Sequence, residues 1–147
     1  MSDPLYRKDL LRLAADAHGA GRLAEPNATG HAFNPACGDQ VTVDISIDAG
    51  HVVQIAHETK ACVLAQASAS ILGSALRGAD RGRVLELRTQ VAAMLADRGQ
   101  PPGRPFEAYA VFQGAVEYDT RHRCVLLPID AVLDALGHAV VTDETST

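Results

Sequence analysis

The sequence predicts an α+β domain in which helices pack on one face of a small antiparallel sheet of two to three strands. Two patterns carry that expectation. Val41, Val43, Ile45 and Ile47 alternate with Thr42, Asp44, Ser46 and Asp48, the period-2 signature of an antiparallel strand with one wet face. From Cys62 onward the apolar residues fall instead at helical spacing, in several runs that end near Leu136.

The elements follow in order. Asp3-Pro4 is a helix start, with Asp as N-cap and Pro at the first helical position. Tyr6, Leu10, Leu13, Ala14 and Ala17 recur on one face, and Gly19 and Gly21 end that helix. Leu23 to Pro35 is irregular, with room for a short strand near His31 and Phe33. Asp48-Ala49-Gly50 turns the first clear strand back into a second over His51 to Glu58, making a hairpin. Ala65, Ala69, Leu72 and Leu76 define the helix after Cys62, and Gly78 stops it. Val84, Leu87, Val91, Met94 and Leu95 define the next, from about Val84 to Ala96, which Gly99 and Pro101-Pro102 break. Residues 103–118 carry no clear period. Val125 to Leu136 reads as the last helix, with Pro128 in its first turn, followed by a frayed polar tail over 142–147.

Composition narrows the function classes. A chain of 147 residues without a repeat or a long linker is expected to form a single domain, residues 1–147. Aromatics make up only 4% and Trp is absent, so Ala, Val, Leu and Ile must build the core. A formal net charge of -5 is a poor match for a phosphate backbone, so no nucleic-acid partner is expected. The start lacks the pattern of a signal peptide, and no stretch has the apolar length of a membrane span. A cytoplasmic location follows, where thiols stay reduced. Three cysteines, an odd number, also argue against a disulfide framework.

In a reducing compartment those cysteines are core residues, metal ligands or reactive thiols. Cys37-Gly38-Asp39 places a thiol and a carboxylate two residues apart on a loop that Pro35 stiffens. Cys62 falls at the start of one helix, and Cys124 at or just before the start of the last. A helix N-terminus favours an anion and lowers a thiol pKa, and the thiolate is the form that binds metal or attacks sulfur. Three thiolates and a carboxylate suit tetrahedral zinc or one edge of an iron–sulfur cluster. The spacing is far from a C-x-x-C ribbon and adds nothing.

Longer motifs add more. Asn34-Pro35-Ala36-Cys37-Gly38-Asp39 resembles the N-P-x-C-G-D signature of the NifU-like scaffold family, also called the IscU/SufU family. Cys62 to Ser70 resembles its second-cysteine helix, C-x-x-x-x-A-S-A-S, and Cys124 with Leu126-Leu127 resembles its third-cysteine segment. The likeness runs from about Leu5 to Leu136. The separation of Cys62 and Cys124, and Arg121 before the third cysteine, resemble the longer SufU-type members. The L-P-P-V-K motif of other members is absent. The resemblance implies an iron–sulfur cluster assembly protein with a small sheet and helices on one side. It implies Cys37, Asp39, Cys62 and Cys124 as ligands of zinc or iron, or of a nascent [2Fe–2S] cluster. Sulfur would arrive as persulfide from a PLP-dependent cysteine desulfurase, with Cys37 or Cys124 as acceptor. Recipient apoproteins or cluster carriers would be the other partners, a monomer or dimer is expected, and the protein would be either no stand-alone enzyme or a zinc-dependent sulfurtransferase. A SufU-type, zinc-dependent sulfur relay and a structural or regulatory zinc module are the rival functions.

Other residues have plainer expectations. His122 is a candidate fifth ligand, or a solvated histidine. Ser68 and Ser70 lack a Ser-His-Asp arrangement and read as small residues on a close-packed helix. His31, His51 and His57 read as surface or strand-edge residues, and Asp130 and Asp134 as a wet helix face. Lys60, Arg121 and Arg123 form a basic group that either is solvated or faces a thiolate or an acidic partner.

Overall fold

The computed structural model describes residues 8–36, 38–97, 99–115 and 119–146. Three strands, β1 (Ala28–Asn34), β2 (Asp39–Asp48) and β3 (His51–Lys60), follow helix α1 (Lys8–Asp16). Helices α2 (Val63–Ala75) and α3 (Arg81–Asp97), a 3-10 helix (Glu107–Ala115) and the long helix α4 (Asp119–Ser146) complete the chain. The sheet has the order β1-β2-β3 and is antiparallel throughout, as the alternating pattern predicts. Ala49 and Gly50, both at positive φ, form the tight β2–β3 turn. A bulge between Ser46 and Ile47 shifts the register, so Ile45 faces Ile55 while Ile47 faces Val52.

Val41, Val43, Ile45, Val52 and Ile55 are buried on the inner face of the sheet. α4 packs against β1 and β2, α2 against α1, α4 and β3, and α3 against α4. At Gly30 of β1 the α4 backbone comes close: a Cβ there would stand 2.2 Å from the Ala131 carbonyl oxygen. α4 also occupies outward-facing backbone groups of β1. Asp134 accepts the His31 N–H at 2.9 Å, and a His138 ring nitrogen lies 3.0 Å from the Thr29 carbonyl. Asp130 pairs with Arg88 of α3. Asp130 and Asp134 therefore tie elements together rather than simply facing water.

The structure corrects four further expectations. α4 begins at Asp119, not near Val125, and continues to Ser146 through the expected polar tail. Pro128 is thus inside a helix and not in its first turn. Asp44 is buried although it lies on the wet side of the alternation. Arg22, from the loop after α1, grips it with Nε at 2.7 Å and Nη2 at 3.0 Å, and Thr29 and the Leu23 N–H also donate to it. These donors hold its carboxyl below the usual range, Arg22 first, against the cost of burial. His57 is buried too, with its ring between the His18 carbonyl and the Thr59 hydroxyl. Residues 19–21 pair with β3 at His57, which closes that sheet edge. Ser68 and Ser70 are buried small residues, as expected of a close-packed helix. The start at Asp3-Pro4 lies outside the described residues.

Candidate metal centre

Three of the four expected ligands lie on three different elements. Asp39 opens β2 directly opposite Asn34, so residues 35–38 link the paired strand ends. The buried Asn34 shapes that link: its Oδ1 accepts the Ala36 N–H at 3.1 Å, and its carbonyl accepts the Gly38 N–H at 2.8 Å. Gly38 stands at φ +77, the left-handed conformation that glycine adopts without strain. Cys37 itself lies outside the described residues.

Cys62 is the N-cap of α2, where sequence reasoning placed it, with extended backbone angles. Ala61 alone separates it from β3, and Gln66 holds this corner by donating its side-chain amide to the Ala61 carbonyl at 2.9 Å. Cys124 does not begin a helix. It lies in the second turn of α4, buried at 1% exposure, because α4 starts earlier than its apolar pattern suggests.

The two sulfurs and an Asp39 carboxylate oxygen all lie within 4.8 Å of one another. Sulfurs bound at about 2.3 Å to a tetrahedral ion stand about 3.8 Å apart, so these donors need only a small contraction to close on one ion. The other evidence of fit comes from Asp39. Its Oδ2 is buried and has no hydrogen-bond partner among the described residues. A buried acceptor in that condition is costly unless something positive or protonated meets it. His122 stands outside this cluster, half-buried on α4.

The Cys124 thiol faces both the Cys62 sulfur and Asp39, and sharing of its proton with Cys62 is the main reason the Cys62 thiol is pulled down to about 6. The amide N–H groups of Ala65 and Leu64 at the start of α2 help, although neither makes a capping bond of ordinary geometry. Burial and the nearby Asp39 charge oppose them. Cys124 moves the other way, held protonated by its bond to Cys62, by burial and by the two negative neighbours. A depressed Cys62 adds stability that is complete above its unfolded value of about 8.5 and is lost as pH falls through about 6. A raised Cys124 costs stability above about 8.5, so the pair favours the metal-free fold most near that pH. Alkylation of Cys62 in the metal-free protein should therefore switch on near pH 6. A midpoint near 8.5 would mean that the shared proton does not exist.

Sequence reasoning missed the residues that brace this centre. Ser68 of α2 donates to the Val125 carbonyl, next to Cys124, and meets the Tyr109 hydroxyl of the 3-10 helix. Phe106, Tyr109 and Phe112 are all fully buried. Their spacing of three is the period of a 3-10 helix and was the available signal.

The profile of the NifU-like N terminal domain family matches residues 5–125. The chain belongs to that family. It is 23% identical over 103 residues to the iron–sulfur cluster assembly scaffold protein IscU of Streptococcus pyogenes, a match covering 70% of this chain and 65% of that protein. It is also 23% identical over 125 residues to the zinc-dependent sulfurtransferase SufU of Bacillus subtilis, covering 85% and 84% of the two chains. The N-terminal crystal structure of a nitrogen-fixing NifU-like protein from Brucella abortus superposes with a TM-score of 0.89 at 34% identity, over 95% of this chain and 96% of that one. A putative SUF-system scaffold from Fervidobacterium islandicum shares the fold, with a TM-score of 0.80 at 22% identity over 92% and 99% of the chains. The α+β fold expected from the sequence is thus that of this family. Among the described residues no helix is long and apolar enough to cross a membrane.

Proposed function

We propose that this member of the NifU-like family is an iron–sulfur cluster assembly protein that receives sulfur at a site of Cys37, Asp39, Cys62 and Cys124. The observation that carries the reading is the convergence of two sulfurs and a carboxylate whose buried oxygen has no other partner among the described residues. The donor set suits zinc, iron or an edge of a [2Fe–2S] cluster. A metal held there would supply the positive charge that keeps the thiols deprotonated and together.

The chain's own residues do the rest. A PLP-dependent cysteine desulfurase presents a cysteine persulfide. The thiolate of Cys37 or Cys124 attacks its outer sulfur, a new S–S bond forms, and the donor cysteine leaves as thiolate. Cys124, which Cys62 and burial hold protonated, reacts only once that proton has left, and the positive charge of a bound metal would favour its loss. Recipient apoproteins or cluster carriers would take the product, in the cytoplasm.

A second reading is a zinc-dependent sulfur relay without cluster building, favoured by the likeness to the zinc-dependent sulfurtransferase over most of both chains. A structural or regulatory zinc module is the third. Metal and acid-labile sulfide content, measured on aerobic and anaerobic preparations, separates the first two: iron with sulfide supports the scaffold, zinc alone the relay. Transfer of labelled sulfur from a desulfurase excludes the structural module. No metal in either preparation removes the proposal. Because a carboxylate is the weakest of the four donors, Asp39→Ala should slow release of metal or cluster to a chelator, and an unchanged release rate would deny Asp39 that role.

A further inference from the structure

Pro128 is buried inside α4, four residues after Cys124. In a regular helix the carbonyl of each residue accepts from the N–H four residues on. Pro128 has no N–H, so the Cys124 carbonyl lacks its helical donor, and the proline ring crowds that same carbonyl. The turn that carries the thiol has thus lost the bond that would fix its shape from within α4.

A bond from outside α4 stands beside the gap. Ser68 Oγ lies 2.8 Å from the Val125 carbonyl, and because a carbonyl only accepts, Ser68 must donate its one proton there. Its 2.9 Å contact with the Tyr109 hydroxyl is then a bond that Tyr109 donates, and that hydroxyl also reaches the Ser68 carbonyl at 3.3 Å. Ser68 and Tyr109 are both 0% exposed, so water does not compete. Ser68 lies about 9 Å along α2 from Cys62. The thiol contact and the serine clamp are therefore two separate points of attachment between α2 and α4. Two such points set the angle at which one helix crosses the other.

We propose that Ser68 and Tyr109 are positioning residues for the metal centre: they clamp the proline-opened turn of α4 to α2 and so set how far Cys124 stands from Cys62. The proposal rests on the assignment of Asp39, Cys62 and Cys124 as metal donors. It also gives a role to a buried serine and a buried tyrosine that the sulfur chemistry leaves unused.

Cobalt titration of the full chain tests it, with Co2+ as the probe and thermal melts of the metal-free proteins alongside. Wild type should show a thiolate-to-cobalt charge-transfer band and the visible bands of a four-coordinate ion. Tyr109→Phe should weaken cobalt binding about tenfold and Ser68→Ala towards a hundredfold, the range seen when groups supporting metal ligands are removed. Both should alter the visible band pattern, which a loss of stability alone does not do. Pro128→Ala restores the donor to the Cys124 carbonyl. It should leave the metal-free melting temperature unchanged or higher, yet weaken cobalt binding about tenfold. If Ser68→Ala does not fold, the other two variants decide. Wild-type affinity and spectrum in Tyr109→Phe and Pro128→Ala overturn the proposal, whatever happens to the melts. A wild-type protein with no thiolate–cobalt band overturns the metal assignment itself, and the proposal with it.

Discussion

Cys62→Ser should leave the purified protein with almost no metal, where the proposed site would give wild type about one metal ion per chain. The expectation follows from where Cys62 stands. It is the charged member of the thiol pair, it caps α2, and it is the half-buried donor through which the centre meets solvent. Structural zinc binding releases about 10–16 kcal/mol, so each of four donors supplies about 2.5–4 kcal/mol, or roughly two to three powers of ten in affinity. A serine hydroxyl is not deprotonated at neutral pH and does not replace that share. Serine keeps the helix N-cap, but the metal-free variant should melt below metal-free wild type near pH 8.5, because it loses the stability that the charged Cys62 supplies. Zinc bound at the proposed site, at about a thousand times its dissociation constant, would stabilise the wild type by about 4 kcal/mol through linkage. The thermal shift on adding zinc, each protein measured against its own metal-free melt, should therefore be large in wild type and nearly absent in the variant. Full zinc occupancy in Cys62→Ser would remove Cys62 from the ligand set.

The parts of this fold that were legible in the sequence are those whose signals are local. The β2–β3 hairpin shows in the alternation of Val41 to Ile47 and in the Asp48-Ala49-Gly50 turn, and the structure contains both. The position of Cys62 follows from a change of period at one residue. What failed depended on contacts distant in sequence. Asp44 reads as exposed because nothing near it in the chain is basic, yet Arg22 covers it. His57 reads as a strand-edge residue until the loop after α1 lays the His18 carbonyl across it. Pro128 reads as a helix start because proline favours the first turn and costs about 3 kcal/mol in an interior. In the structure α4 runs through it, packed on two strands and two helices that offset the cost. At the candidate site, Asp39, Cys62 and Cys124 were legible through motif resemblance rather than spacing. Their mutual approach needs three elements to meet, which no local pattern encodes.

That meeting depends on how closely α4 lies against β1, and Gly30→Ala should break it. A Cβ at residue 30 would stand 2.2 Å from the Ala131 oxygen, 2.3 Å from the Ala135 nitrogen and 2.9 Å from the Ala135 Cα. All three are backbone atoms of α4, so no flexible side chain can move aside. The helix must shift away from the strand as a body, against the Asp134 and His138 bonds that hold it to β1. Overpacking of this kind costs about 3 kcal/mol or more, a large part of the stability of a domain this size. The same shift carries Cys124 away from Asp39 and Cys62, so whatever folded Gly30→Ala protein remains should also bind metal poorly. Gly137→Ala is the control within the same helix. A Cβ there meets nothing within 4 Å, and alanine is the better helix former by about 1 kcal/mol. The urea midpoint should therefore fall sharply for Gly30→Ala and rise slightly for Gly137→Ala. Equal midpoints for the two variants would mean that α4 does not rest on β1 at this distance, and the geometry derived for Cys124 would lose its support.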